Sequence, residues 1–327
     1  MKKLIALLLA LIMVLSLAAC NSDPKEDPKD DPKDSTTTTA PVDNRPSYTF
    51  SKFGSGKVTI VGAEFAKTDD DEDFLRVYYD YTNTDTIGCR PYDTLEFEKA
   101  TQNGEEIDQF TPYSDDEYAI PEDLMAECSL QPGMTMRCTA LFECSPDDGV
   151  VELGCNLMIG SWAYNPDDLE WLEFQIDPKD MMGKPEAMEY APIPNPTYTQ
   201  GMPTSGLLDC AVPFEAALES YELTECDGAP ALRVYLTYTN KDDESWPPCV
   251  VLPIVAYQDG IGLTLADTWY VDDLNETDEA FEEYAEPGQS MKCSVIFLLR
   301  GNSPVEVVIE ESDDYLRLGM VCDISGK

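Results

Sequence analysis

The sequence predicts an all-β chain made of two copies of one antiparallel, sandwich-sized domain, and three observations carry that prediction. Leu75-Arg-Val-Tyr-Tyr-Asp-Tyr-Thr-Asn83 recurs as Leu232-Arg-Val-Tyr-Leu-Thr-Tyr-Thr-Asn240, identical at seven of nine positions. A match of that length marks a duplicated unit. Apolar residues alternate in both, Leu75, Val77, Tyr79 and Tyr81 against Leu232, Val234, Leu236 and Tyr238, which is the period of a strand and not of a helix. Each copy continues into a matching tight turn, Gln102-Asn103-Gly104 and Gln258-Asp259-Gly260, whose Asn-Gly and Asp-Gly pairs supply the positive backbone angles of a hairpin. The intervening residues, Arg76, Tyr78, Asp80 and Thr82 against Arg233, Tyr235, Thr237 and Thr239, suit water. Each strand is therefore expected to bury one face only.

Taken in order, residues 1–19 open with Lys2 and Lys3, run apolar from Leu4 to Leu15 and end at Leu17-Ala18-Ala19-Cys20. This resembles a bacterial lipoprotein signal peptide, cut between Ala19 and Cys20. The resemblance implies a lipid on the Cys20 sulfur, palmitate among the acyl chains, and a protein anchored at the extracytoplasmic face of the cell membrane. The apolar run is too short for a membrane span. Residues 20–47 carry Asp23-Pro-Lys25, Asp27-Pro-Lys29 and Asp31-Pro-Lys33 and then four threonines. Proline at every fourth position forbids helix, and nothing apolar is available to bury, so this stretch is read as a disordered tether. At about 3.1 Å per residue it reaches up to roughly 80 Å from the bilayer, a span suited to a Gram-positive type of wall.

The first domain is placed at residues 48–177. Its expected strands are Val58 to Phe65, Leu75 to Asn83, Thr94 to Ala100, Met136 to Phe142, Val150 to Leu157 and Leu169 to Ile176. The acidic run Asp69 to Asp73 is a hairpin tip, since the second copy turns at a plain Asp227-Gly228. The second domain, residues 213–327, repeats the plan with Leu232 to Asn240, Val250 to Tyr257, Met291 to Phe297, Val305 to Glu310 and Tyr315 to Val321. In both copies a Pro-Gly, Pro132-Gly133 and Pro287-Gly288, precedes the Met-x-Cys strand, which points Cys138 and Cys293 inward. Residues 178–212, rich in proline and glycine, are read as a linker, stiff in parts and bent in others.

The lipobox, the tether, a strand ending in Tyr-Thr-Asn, the Gln-Asp-Gly turn and the Pro-Gly before a strand ending near Phe together resemble the immunoglobulin-like domains of unknown function in Gram-positive surface lipoproteins. The likeness spans residues 55–177 and 213–324. It implies tandem seven-stranded sandwiches at the cell surface, and it assigns no catalytic residue.

Bulk chemistry narrows the function. The formal charge is −43, and removal of a leader that holds two lysines and no acid leaves the mature chain at −45. A polyanion without a basic stripe repels nucleic acid, so none is expected as a partner. Cationic partners and divalent ions are attracted. There is no histidine, which removes Ser-His and Cys-His nucleophile pairs and the common zinc sets. No cofactor is implied, and the chain is read as a non-enzyme.

Eleven cysteines, less the lipidated Cys20, leave ten, which in an exported chain reads as five disulfides. Taking Cys89 as the counterpart of Cys249 and Cys138 as that of Cys293 suggests the pairs Cys89–Cys138 and Cys249–Cys293, with Cys144–Cys155 clamping a hairpin. For calcium the best local stretch holds Asp272, Asp273 and Asn275, but it lacks the turn glycine and the closing glutamate of a calcium loop. Solvated surface is the simpler reading there. Trp162, Tyr164 and Trp171, and Trp246, Trp269 and Tyr270, are candidate stacking platforms or plain core. The expected function is a non-catalytic surface lipoprotein whose tandem domains bind an envelope protein or a wall polymer. The alternative is an acidic cation- or solute-binding lipoprotein.

Overall fold

Alternating Val, Ile, Tyr and Leu residues between Gly, Asn and Asp turns give strands throughout, and the strands pair in the same order twice. The computed structural model describes residues 45–51, 55–113, 116–157, 170–266, 271, 273–310 and 316–325. The leader, Ala19, Cys20, nearly all of the tether, Trp162, Tyr164, Trp269, Tyr270 and Asp272 lie outside the described residues.

In the first repeat the strands are β1 (Ser47–Phe50), β2 (Gly56–Lys67), β3 (Asp73–Asn83), β4 (Leu95–Gln102), β5 (Glu105–Glu106), β6 (Gln109–Phe110), β7 (Thr135–Glu143), β8 (Val151–Leu157) and β9 (Leu172–Ile176). Short helical turns join them, among them α1 (Pro91–Thr94) and α2 (Pro121–Leu124). The second repeat has β10 (Ser205–Leu208), β11 (Phe214–Cys226), β12 (Ala229–Asn240), β13 (Ile254–Gln258), β14 (Ile261–Gly262), β15 (Ser290–Leu298), β16 (Val305–Ile309) and β17 (Leu318–Cys322), with α3 (Pro248–Val251) and α4 (Glu276–Ala280).

One sheet of the first repeat runs β1-β2-β3-β7-β6 and the other β5-β4-β8-β9. The second repeat matches them with β10-β11-β12-β15 and β14-β13-β16-β17. Every pairing is antiparallel. Each core lies between the two sheets of its repeat. In the first, Val58, Leu75, Val77 and Cys138 meet Phe97, Val151, Leu153 and Cys155, with the Phe97 ring 5.7 Å from both Tyr79 and Phe142. In the second, Leu232, Val234 and Cys293 meet Ala256, Val305 and Val307. The all-β expectation holds. So do the hairpin turns, since Asn103 and Gly104 have φ of 53° and 79°, and Asp259 and Gly260 have 56° and 81°.

Two expectations are corrected. Val250 and Val251 do not open a strand. They close the turn α3 that follows Pro247 and Pro248, because proline pre-sets the helical φ of a first turn. Nor do the organising strands leave one face wet, for Arg76 is 4% exposed, Tyr78 1% and Arg233 1%. The segments carrying α2 and α4 fold over that face, and each delivers an aspartate to the arginine. Arg76 Nε and Nη2 donate to Asp123 at 3.0 and 2.9 Å, and Arg233 Nε donates to Asp278 at 3.1 Å. Each aspartate also caps its own helix, accepting from Ile120 N and from Asn275 N, both at 3.0 Å.

The repeated Asn and Gln residues are likewise structural. Asn83 donates to Ile87 O and Leu130 O at 2.8 Å, and Asn240 donates to Glu244 O at 2.6 Å and Ala285 O at 2.9 Å. Gln102 and Gln258 each donate to two carbonyls of the loop after the Met-x-Cys strand. Each such side chain replaces backbone partners that an irregular buried turn cannot supply.

The repeats differ at one buried tyrosine. Tyr81 Oη lies 3.5 Å from Cys89 Sγ and 3.2 Å from Thr94 Oγ1. Tyr238 Oη, buried at the matching position, has no hydrogen-bond partner among the described residues, because Trp246 and Val251 stand where the first repeat has Cys89 and Thr94. Tyr238→Phe is therefore expected to leave stability unchanged or raise it by up to about 1 kcal/mol, and Tyr81→Phe to lower it by about 1 kcal/mol. Urea midpoints check both. A loss in Tyr238→Phe as large as in Tyr81→Phe would contradict the difference in bonding.

Residues Arg45–Lys327 cluster as one compact unit, and the contacts that join the repeats are specific. Leu130 bridges to Cys89 on one side and to Ile261 of β14 on the other, so the ladder of the second repeat continues into the first. Gly262 N donates to Ser129 O at 2.6 Å and Gln131 N to Gly260 O at 2.9 Å, while Ile261 sits in the core of the first repeat. Gly88 packs so closely on Tyr257 across this junction that a Cβ would overlap the phenol.

The Pro-rich segment 178–212 is laid along both repeats. Ala63 N donates to Gly183 O at 3.2 Å, and Gly62 has no Cβ to collide with Pro185. Arg137 reaches Glu186 O at 2.5 Å, and Tyr190 Oη accepts from Arg137 N at 3.1 Å. Residues 205–208 of the same segment form β10.

Candidate functional site

One surface that the fold leaves open is the outer face of β5-β4-β8-β9. Strand alternation places Glu152 outward from β8 and Glu173 and Gln175 outward from β9, while their neighbours Val151, Leu172 and Phe174 point into the core. Register slips between Glu96 and Lys99, so that Phe97 and Glu98 together stand opposite Cys155. This bulge turns both Glu98 and Lys99 out. A groove of about 730 Å³ results, lined by Glu98, Lys99, Thr101, Glu106, Glu152 and Glu173 among others.

Lys99 is the one cation among those lining residues. Its Nζ stands 3.9 Å from the centre of the Trp171 ring and 2.5 Å from Glu173 Oε1. An ammonium over an indole face is held by the ring quadrupole, which here ties the half-exposed Trp171 to Lys99 of the groove. Trp171 is thus the expected platform residue that the structure brings to this face. Trp246 instead sits half-buried at the other repeat, its Nε1 donating to Asp242 Oδ2 at 2.9 Å.

The same face of the second repeat is covered. Register places Glu306 at the position of Glu152 and Glu310 at that of Asn156, yet Glu306 is only 3% exposed. Glu306 accepts from Thr199 N at 2.8 Å, Thr199 Oγ1 at 3.1 Å and Gln131 Nε2 at 2.9 Å. Glu310 accepts from Tyr198 Oη at 2.6 Å and from Gly88 N at 3.2 Å. Residues 198–203 and the edge of the first repeat occupy in the second repeat what stays open in the first.

Of the expected calcium residues, Asp273 accepts from Arg233 Nη2 at 3.0 Å and Thr224 Oγ1 at 2.7 Å. These contacts, Arg233 first, hold its carboxyl below the usual range. Asn275 caps α4, accepting from Thr277 N at 2.8 Å. Both serve the fold around Arg233. Among the described residues no group of three or more Cys, Asp or Glu gathers as a metal cage.

No disulfide joins Cys89, Cys138, Cys249, Cys293, Cys144 or Cys155 in this structure. The premise of equal positions behind the pairs Cys89–Cys138 and Cys249–Cys293 is corrected. Cys89 bridges to Leu130 as Trp246 bridges to Ala285, and α1 and α3 both start at proline. Cys89 therefore corresponds to Trp246, and Cys249 to Tyr92.

Burial pushes the thiol of Cys155 up to about 12, and those of Cys89 and Cys144 to about 11. Burial also lifts Cys293 to about 12, so the reactive thiolate is scarce near neutral pH. At pH 8 iodoacetamide is expected to alkylate the exposed Cys249 well before Cys138, Cys155 or Cys293. Peptide mass mapping with and without reductant reads both rate and bonding. Equal labelling of Cys249 and Cys293 in the folded chain would contradict the packing.

The fold and this face define a class: a tandem all-β sandwich protein with an open, acidic sheet face. Residues 213–311, within the second repeat, match the model of a family described as a domain of unknown function, DUF5067. A solved structure from Staphylococcus aureus subsp. aureus NCTC 8325, described as a candidate lipoprotein, is similar at 15% identity with a TM-score of 0.30. The likeness covers 37% of this chain and 94% of that one. No curated protein matches.

Sequence reasoning missed Glu98, Lys99, Glu106, Glu152 and Glu173 as neighbours. The alternation of Leu172 to Ile176 shows which residues of that strand point out. Which strands flank it, and whether anything covers them, is not written in the pattern.

Proposed function

We propose that this chain is a non-catalytic surface lipoprotein of Gram-positive type, whose two immunoglobulin-like repeats engage an envelope protein or wall component through the outer face of β5-β4-β8-β9. The leader ending at Cys20 supports a lipid anchor at the extracytoplasmic face of the membrane. Strand order supports the immunoglobulin-like reading, because β2-β3-β7 against β5-β4-β8-β9 reproduces the split of an immunoglobulin sandwich into an A-B-E sheet and a C-F-G sheet.

The observation that carries the binding reading is the contrast between repeats. The fold already uses this face for docking in the second repeat, through Glu306 and Glu310, and leaves it open around Trp171 in the first. Charge favours a partner with basic groups.

The test is a photo-cross-linking residue in place of Glu173 in the full lipidated chain on intact cells, with the same residue in place of the exposed Glu225 as the reference. A discrete adduct from position 173 alone supports the reading. Identical adducts from both positions, or none from 173, count against it. Cys20→Ala should release the protein from the membrane fraction, and full retention would remove the anchor from the proposal.

A further inference from the structure

We infer that Glu96, Glu98 and Asn156 form a calcium site at the end of the open face. Glu96 and Asn156 are direct partners across β4 and β8, and Glu98 stands two residues along on the same side of its strand. The bulge that begins after Glu96 leaves Glu98 beside the amide, and Asn156 Nδ2 donates to Glu98 Oε2 at 3.2 Å.

Asn156 is 2% exposed, and its Oδ1 is buried with no hydrogen-bond partner. A buried amide oxygen left bare is costly, and native structures rarely keep one without a reason. At the matching place in the second repeat, Glu310 has its oxygens filled by Tyr198, Tyr257 and Gly88. Among the described residues of the first repeat no donor reaches Asn156 Oδ1. What stands beside Asn156 is a pair of carboxylates, Glu96 across the ladder and Glu98 at its Nδ2.

Both carboxylates stand on the outer side of β4, one on each side of the inward-facing Phe97. Two like charges and an unused amide oxygen are a mismatch for any neutral or anionic ligand. They fit a hard divalent cation, which takes carboxylate and amide oxygens together and completes its shell with water. Calcium, which accepts six to eight oxygens in loose geometry, suits so irregular a ligand set better than magnesium. A site with so few protein ligands belongs to the weak extracellular range, with Kd of about 10⁻⁴ to 10⁻³ M. The inference does not depend on what docks at the face, because its readout is calcium itself and not a cross-linked partner.

The experiment is calorimetric titration of calcium chloride into the full chain, alongside E96Q/E98Q, N156L and a control, E282Q/E283Q. The control removes the same two charges from an exposed stretch of the second repeat, so diffuse attraction to a chain of −43 is matched. Unfolding midpoints in EDTA establish that each variant folds. The expected result is one calcium per chain in the wild type and the control, weakened at least about tenfold in E96Q/E98Q and in N156L, with a calcium-dependent rise in Tm that follows the same division. Equal binding by wild type and E96Q/E98Q would overturn the inference. So would an equal loss in the control, or wild-type binding by N156L.

Discussion

Asp123→Ala is expected to destabilise the protein by about 3–5 kcal/mol, the range for breaking a buried ion pair from one side. Arg76 is 4% exposed and the Asp123 side chain 0%, so the guanidinium would be stranded with Tyr118 O and a half-buried Glu64 at 3.4 Å as its remaining partners. The same aspartate accepts from Thr139 Oγ1 at 2.5 Å and caps α2 at Ile120, and those donors would be orphaned with it. The matching Asp278→Ala is expected to cost less. Arg233 keeps Glu222 at 2.8 Å and Asp273 at 3.0 Å, and both of these are well solvated. Urea unfolding of the two variants measures the difference. An Asp123→Ala midpoint no lower than that of Asp278→Ala would mean that the pair is not the element holding α2 to its sheet. Arg76→Met with Asp123→Leu, which removes both charges, should recover much of the loss.

Asn240→Ala comes next, at about 2–3 kcal/mol, up to one for each of three backbone groups, one buried and two part-buried, left without a partner. Those groups are Glu244 O, Ala285 O and Asp242 N, which its amide satisfies at 2.6, 2.9 and 2.9 Å. Asn240→Asp should be no better, because a carboxylate has no hydrogen to give to the two carbonyls. The equivalent Asn83→Ala carries a second consequence, since Leu130 O is among its partners and Leu130 is the residue that bridges the repeats. Limited proteolysis should therefore cut Asn83→Ala near residues 129–131 while sparing that stretch in Asn240→Ala. Matching digestion patterns would show that the junction does not lean on Asn83.

These variants show how far the sequence could be read. The two strands Leu75 to Asn83 and Leu232 to Asn240 were legible because a pleated strand alternates its side chains, and duplication wrote the pattern twice. Gln-Asn-Gly and Gln-Asp-Gly were legible because a two-residue hairpin demands positive φ. Arg76 and Arg233 were misread as wet, since alternation says only that they face away from one core. Their burial comes from Asp123 and Asp278, each 45 or more residues further along. Likewise Cys89 and Cys249 look like counterparts by order along the chain, and only the bridges to Leu130 and from Trp246 to Ala285 reveal that they are not.

By itself the sequence determined the duplicated all-β plan, the turns and the acidic character, because each is a local matter of side-chain period, backbone angle or charge. Tertiary structure alone decided that the repeats lock through Leu130, Glu306 and the Pro-rich segment, and that the outer sheet face is covered in one repeat and open in the other. It also set Asn156 beside Glu96 and Glu98 with an oxygen to spare. Those outcomes depend on which strands become neighbours and on what folds over them, and contacts between residues far apart in the chain leave no periodic trace in it.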